Sequence, residues 1–428
     1  MQSDLIPSPA EPLALVGAQE PPVSAPRGGA LAELALAVGG FALGTGEFAS
    51  MGLLPSAARD VGVSIPTAGH LISAYALGVV VGAPLITVLM ARAPRRAMLI
   101  GLMVFFALAN VATAVAPTFA PLVVARFLAG LPHGAYFGIA ALVAAGLASD
   151  GGRARAVGRV MLGLSVANVV GVPFATLLGQ DLGWRTAFLA VGGIGLLTAA
   201  LVTVFVPVVP VTSGASPMRE LGGFKHVQVW LTLAVAAVGF GGLFAVYSYI
   251  TPTLVQLTGV KLSTVPLFLS VIGLGMIAGS LAGGWLADRA LMASILGGLL
   301  WSAAVLALFT LASAHPWSAA ADLFLVGGGI AVVPALQTRL MDTAQEAQTL
   351  AAALNHSALN LANALGAWFG GLSIAAGFGW SSTGWIGAGL AASAIPILGL
   401  SAALELRTRR RRGRRTESFA LPVPRQGP

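Results

Sequence analysis

The 428-residue chain has no cysteine. That excludes disulfides, thiolate nucleophiles and cysteine metal sites in one step. Charge is also scarce: 9% of residues are charged and 57% are hydrophobic, whereas soluble domains carry about 25% charged residues. A water-soluble fold could not cover its surface with so little charge. The composition therefore overrides the two or three soluble domains that length alone would allow. No G-x-x-x-x-G-K-[ST] stretch occurs, so the chain has no P-loop with which to hydrolyse ATP. Five histidines are scattered without H-x-x-x-H spacing. Polar groups are too dispersed for a catalytic constellation. No enzymatic activity, cofactor or metal is expected.

What the chain does have is long apolar runs. A membrane-spanning helix needs roughly 20 apolar residues. Twelve such segments are legible, at 33–55, 67–90, 97–116, 119–147, 155–178, 184–207, 228–257, 264–287, 290–313, 317–341, 348–377 and 381–404. The expected fold class is an all-α membrane protein of twelve transmembrane helices. Residues 1–30 lack the basic and apolar regions of a cleaved signal and are rich in Pro, Ser and acidic residues; they read as a disordered extension. The stretch 208–226 carries Pro, Ser and Gly with Arg219 and Lys225, and reads as a loop between a first half, 31–207, and a second half, 227–404.

The positive charge is concentrated. Of the +8 net charge, eight arginines lie between Arg407 and Arg425, in the tail 405–428. Nucleic acid is one reading of such a tail, but beside membrane spans it reads better as a cytoplasmic anchor, with no nucleic-acid partner. Alternate loops hold Arg92, Arg95 and Arg96, then Arg153, Arg155 and Arg159, then Arg219 and Lys225, then Arg289, while the opposite loops hold little more than Arg59 and Lys261, with Arg185 at a helix start. The positive-inside rule then places both termini in the cytoplasm.

The halves repeat. Gly44 and Pro55 match Gly241 and Pro252 at an offset of 197, and Gly78, Gly82, Arg92 and Gly130 match Gly275, Gly279, Arg289 and Gly327 at the same offset. Asn168 and Gly171 match Asn363 and Gly366 at 195; Gly183-Trp184 matches Gly379-Trp380 at 196. Two pseudo-symmetric six-helix halves are expected, with a substrate site between them near the midplane.

Within the first span, FALGTGEFASMGLLP places a single carboxylate, Glu47, among apolar residues. A charged group inside a bilayer costs at least a few kcal/mol and marks function by default. Glu47 is the first choice for a proton-binding site; the alternative is a carboxylate that only pins a neighbouring helix. Its repeat mate is Phe244, so the second half has no equivalent acid at that position. The fourth span reads RFLAGLPHGAYFG, with Arg126, Gly130, Gly134 and Gly138 every four residues and His133 within about 20° of Arg126 around the helix. Arg126 is a partner for Glu47 or for a polar substrate, or else an arginine that snorkels to the headgroups. His133 is a second group that titrates in the physiological range, or a neutral ring bonded beside Pro132.

In the fifth span Pro173 removes a backbone bond, with Gly163, Gly171 and Gly179 nearby: a hinge or plain packing. Asn168 buries an amide that needs partners. In the eleventh span Asn355, His356, Asn363, Gly366 and Gly370 fall within about 100° of one another, with Asn360 just outside. Such a stripe implies a ligand-lined wall or inter-helix hydrogen bonding. The four tyrosines, Tyr75, Tyr136, Tyr247 and Tyr249, suit an amphipathic ligand or an interfacial belt. The expected substrate cavity combines Tyr75, Tyr136, Asn168, Tyr247, Asn355, His356, Asn360 and Asn363.

Together these residues resemble the major facilitator superfamily, and more narrowly its bacterial twelve-span drug:proton antiporters of the arabinose-efflux and chloramphenicol-efflux type. GTGEF-x-x-MGLLP, RF-x-x-GLPHGAYFG, G-V-P followed by GWR-x-x-F, and NH-x-x-LN-x-ANALGAW-x-GG carry the likeness, which spans about 33–404. The resemblance implies that Gly82, Arg92, Arg95 and Arg96 match a gating motif. Gly284, Leu286, Ala287, Asp288 and Arg289 match its second copy. Arg126, Gly130 and Gly134 match a proton-coupling motif, and Gly163, Gly171 and Pro173 an antiporter motif. Ala91 stands where the gating motif usually has Asp, Pro94 where it has Gly, and Val172 separates Gly171 from Pro173. The implied activity is proton-coupled efflux of a small amphipathic or polar compound, a drug or a sugar, by a monomer in the bacterial cytoplasmic membrane. Proton-coupled uptake of a sugar or nucleoside is the alternative.

Overall fold

The computed structural model describes residues 29–90, 93–148, 153–208, 226–344 and 348–419. The N-terminal extension, almost all of the central loop and Arg92 lie outside the described residues. Among the described residues every regular element is helical. Twelve helices are long and apolar enough to cross a bilayer. In chain order they are α1 Gly29–Asp60, α2 Ile65–Thr87, α3 Arg95–Val115, α4 Phe119–Leu147, α5 Arg155–Leu182 and α6 Trp184–Phe205 in the first half. The second half has α7 Val227–Ser248, α8 Leu262–Ala287, α9 Leu291–Ala312, α10 Pro316–Ala344, α11 Leu354–Ala375 and α12 Ser382–Arg407. The backbone helix that contains α12 runs on to Phe419. Odd-numbered helices run away from the end carrying Gly29, and even-numbered helices return to it.

The repeat seen in the sequence is a repeat of contacts. Water-driven burial does not hold helices together in lipid, so close packing of small residues does much of the work. A Cβ on Gly78 or Gly82 of α2 would collide with the Phe127 or Leu131 carbonyl of α4, and one on Gly130 of α4 with the Tyr75 carbonyl of α2. In the second half, Gly275 and Gly279 of α8 meet the carbonyls of Phe324 and Gly328 on α10, and Gly327 meets that of Ile272. Every partner is displaced by the same 197 positions. The α2–α4 and α8–α10 pairs are thus the same backbone-to-backbone contact made twice.

The halves meet along two seams, α2 with α11 and α5 with α8, which the repeat exchanges. Ser73 Oγ donates to the Ala364 carbonyl (3.3 Å) and Ser357 Oγ to that of Val80 (3.4 Å) on the first seam. Gln180 Nε2 donates to the Leu262 carbonyl (3.1 Å) and Ser270 Oγ to that of Val169 (3.0 Å) on the second. Away from the termini, Thr251 Oγ1 reaches the Met51 and Gly52 carbonyls of α1. There Phe48, Met51, Leu54, Ile72 and Val172 join the apolar core of the second half. Toward the termini the first half keeps its own core, around Leu36, Met103, Tyr136 and Val160.

Several spans are interrupted, among them α2 at Gly69 and α10 by a 3-10 turn at Gly329–Ala331; the irregularities of α7 and α5 lie nearest the contact between the halves. The seventh was expected to run unbroken to residue 257. Instead α7 stops at Ser248, and a short turn, Ile250–Pro252, and a π-type turn, Thr253–Leu257, follow. Pro252 has no N–H to continue the ladder. In α5 the strain of Pro173 is taken up by a π-type turn, Ala167–Gly171, just before it, a common form of helix irregularity at functional positions.

Candidate functional site

Glu47 lies midway along α1, where glycines thin the helix. A Cβ at Gly44 would collide with Leu164 and Ala167 of α5, and one at Gly163 of α5 would meet the Ala37 carbonyl of α1. This reciprocal approach packs α5 tightly on α1, and Glu47 itself is 5% exposed. Its two oxygens look in different directions. Oε1 accepts a hydrogen bond of 3.0 Å from Asn363 Nδ2 on α11, 316 positions away in the other half. Oε2 stands 3.7 Å from His133 Nδ1 on α4. The same nitrogen is 3.0 Å from the Tyr75 hydroxyl on α2. One carboxylate therefore touches both halves.

Arg126 is 1% exposed. It does not snorkel, and among the described ion pairs none joins it to Glu47. Its Nη2 donates to the carbonyl of Gly46, the residue before Glu47, at 3.0 Å. The guanidinium lies over the rings of Tyr75 (4.4 Å) and Phe188 (5.1 Å), a cation–π arrangement that suits a buried cation. The fixed positive charge is thus beside the acid without a direct bond to it.

The sequence stripe of α11 is split by the structure. Asn363 reaches across to Glu47, but Asn360 Nδ2 turns back to the His356 carbonyl (3.1 Å). The His356 ring stacks on Phe137 of α4 (5.3 Å) and comes within 6.3 Å of the His133 ring. Asn355 is buried. Asn168 donates to the Leu164 carbonyl of its own helix (3.0 Å), and its backbone packs on Gly273 of α8. Tyr247 is fully buried and lies against Phe48, with ring centroids 5.7 Å apart. Tyr136 is elsewhere: its hydroxyl donates to the Leu36 carbonyl at 2.9 Å, tying α4 to α1 inside the first half. Tyr249 donates to the Ala367 carbonyl of α11 at 2.8 Å.

The motif residues at the ends do local work. Arg96 donates to the Thr203 carbonyl in the last turns of α6, while Arg95 is half-buried at the start of α3. Asp288 caps α8 through its backbone, and Arg289 Nη1 folds back onto the Trp285 carbonyl (3.0 Å) and over the Trp285 ring (3.6 Å). Gly171 packs on Phe41 and Thr45 of α1, and Pro173 is buried behind it.

Asp322 escaped the sequence reading. It sits in α10, 2% exposed, and among the described residues neither oxygen has a hydrogen-bond partner. Its signal is the one that singled out Glu47: a lone acid in an apolar span. It does not occupy the position that repeats Glu47, which holds Phe244. It stands 197 positions after Ala125, next to the mate of Arg126.

Comparison with known proteins agrees with the architecture. Residues 36–355 match the model of the Major Facilitator Superfamily. The inner membrane transport protein YdhP of Escherichia coli K12 is 42% identical over 372 residues, covering 86% of this chain and 95% of its own. The chloramphenicol resistance protein of Streptomyces lividans is 34% identical over 341 residues, covering 77% and 86%. Among solved structures, the inward-facing, unoccupied form of a bacterial homologue of the human lysosomal transporter Spinster superposes with a TM-score of 0.67 at 18% identity. It covers 88% of this chain and 96% of that one. With its twelve membrane spans and its two repeated halves, this chain belongs to the Major Facilitator Superfamily.

Proposed function

We propose that this transporter exports a small amphipathic or polar compound, a drug or a sugar, in exchange for protons, as a monomer whose termini face the cytoplasm. The observation that carries the reading is the position of Glu47, held by Asn363 of one half and facing His133 of the other. A hydrogen bond to an ionised acceptor is roughly twice as strong as a neutral one. Protonating Glu47 therefore weakens a contact between the halves, and a proton has different affinities for the packed and the parted arrangement. That difference is what lets a ligand shift a conformational equilibrium. The names of relatives, among them a chloramphenicol resistance protein, support export as the direction. Arg126, His133 and Tyr75 set the field around the acid. Tyr247, His356 and Asn168 touch the opposite half; these three, with Asn355 and Asn360 of α11, are proposed to meet the substrate. Arg95, Arg96, Asp288 and Arg289 act at the helix ends during the change.

The test is transport in everted membrane vesicles under an imposed pH gradient, with chloramphenicol and a panel of antibiotics, sugars and nucleosides as probes. Glu47→Gln is expected to abolish gradient-driven transport while the protein is still made and inserted. Full gradient-driven export by that variant would sink the coupling role.

A further inference from the structure

Arg126 has three side-chain nitrogens, and among the described residues only Nη2 has a hydrogen-bond partner. Nε and Nη1 are buried without one. One turn beyond Glu47 on α1, Ser50 is 6% exposed and its hydroxyl is likewise unpartnered. Both side chains line the same small pocket inside the first half, between α1, α2, α3, α4 and α6. Apolar side chains make most of its wall, with Thr113 and Trp184 the other polar residues. The space open to the centre of a water molecule is about 10 Å³, close to the smallest that admits one water.

A buried water needs two to four polar partners, and this pocket supplies four. Arg126 Nε and Nη1 are free to donate to a water oxygen, and Ser50 Oγ is free to accept a water hydrogen. Thr113 uses its own hydrogen on the Ala109 carbonyl (2.9 Å), which leaves its oxygen free to accept the other. A halide would fit worse, because it is larger than water and finds an acceptor, not a donor, at Thr113.

We infer that one water molecule is bound here, and that Ser50 and Thr113 are positioning residues that act through it. With the water present, the guanidinium edge is held toward Ser50 while Nη2 stays on the Gly46 carbonyl and the rings of Tyr75 and Phe188 cover its faces. Without it, two buried donors of a cation are left unmade, a state whose penalty exceeds that of an unmade neutral bond. The arginine then turns away to find acceptors, and its charge leaves the neighbourhood of Glu47.

The consequence for proton binding rests on the reading of Glu47 as the proton site. The groups that face it are Arg126 and His133 of α4, Tyr75 of α2, Asn363 of α11 and Tyr247 of α7, with His356 of α11 behind the His133 ring. Of the side chains around it Arg126 alone carries a permanent charge, so its position sets how readily the carboxylate gives up its proton.

The experiment titrates proton uptake by the purified full-length protein in lipid nanodiscs with a pH-indicator dye. The Ser50→Ala/Thr113→Val double variant removes both acceptors. It is expected to reach half-uptake at a proton concentration about tenfold lower than wild type, a displacement within the 1–3 range of pKa shifts that a nearby charge produces. Ser50→Thr and Thr113→Ser keep a hydroxyl and are expected to follow the wild-type curve. A double variant that titrates like wild type overturns the positioning role. If Glu47→Gln also titrates like wild type, it is the proton-site reading that fails. An experimental density map of the wild type decides the water independently of any variant's folding. A peak within hydrogen-bond distance of Arg126 Nε and Nη1 is expected, and an empty pocket overturns the site.

Discussion

Replacing Asn363 with Leu keeps most of the side-chain volume but removes the only described hydrogen bond that joins Glu47 to the second half. Both groups are buried, Asn363 completely and Glu47 to within 5%, so water does not replace the lost donor in the packed arrangement. Hydrogen bonds to charged groups are worth about 1.5–3 kcal/mol. If the bond exists only when the halves are packed, its loss moves the equilibrium toward the parted arrangement by about 2 kcal/mol, or about 30-fold. The far end of the α5–α8 seam offers a readout. Gln180 and Leu262 meet there through a 3.1 Å hydrogen bond, both are accessible, and the chain contains no cysteine to interfere. In a Gln180→Cys/Leu262→Cys background, disulfide formation measures the packed population. Asn363→Leu is expected to slow crosslinking by at least tenfold at a pH where Glu47 is ionised. An unchanged rate would show that the Glu47–Asn363 contact contributes nothing to holding the halves together, and the coupling argument would lose its physical link.

Three further outcomes follow from packing and burial. Gly78→Val places a side chain against the Phe127 carbonyl, which is backbone and cannot yield; it should destabilise by about 1–3 kcal/mol in thermal unfolding, while Gly101→Ala, with open space around it, should be neutral. Arg339 gathers Gln228 Oε1 (3.2 Å), Ser401 Oγ (2.7 Å) and Glu405 Oε2 (3.3 Å). Arg339→Ala should cost about 2 kcal/mol, less than a fully buried pair because Glu405 is part-exposed; the labelling rate of a cysteine introduced near the start of α7 should rise. Asp322→Leu removes an unpaired buried acid and should raise the thermal midpoint by an amount equivalent to about 1–3 kcal/mol, and a lowered midpoint would reveal a partner that forms in the membrane.

The fold was legible because its signals are local and repeated. Apolar length marks each span, and the glycines at one offset mark the α2–α4 and α8–α10 contacts. The helix count and the equivalence of the halves could be read without knowing a single distance. The site was legible only in part. Glu47 and Arg126 announced themselves as charges in apolar helices. Their relationship did not, because helical phase says which face a residue occupies and not which of three neighbours it meets. Tyr136 looked like a cavity residue and is a tie between α4 and α1. Asn363 and Asn360 lie near one another on α11, yet one crosses to the other half and the other turns back on its own helix. Ser50 carried no signal at all: a small hydroxyl in a span is unremarkable until an unpaired guanidinium is found across a cavity from it. The break at Tyr249 was hidden because the residues around it are apolar and Pro252 is tolerated inside membrane helices.

The central claim is that substrate and protons move in opposite directions through one Glu47-dependent cycle. It is tested most directly by reconstituting the purified chain in liposomes loaded with a pH-sensitive dye and adding a transported compound from the panel to one side. Wild type is expected to drive protons across the bilayer against the flow of compound, and Glu47→Gln to move none. Compound flux with no accompanying proton movement, or proton movement in the same direction, would contradict the account.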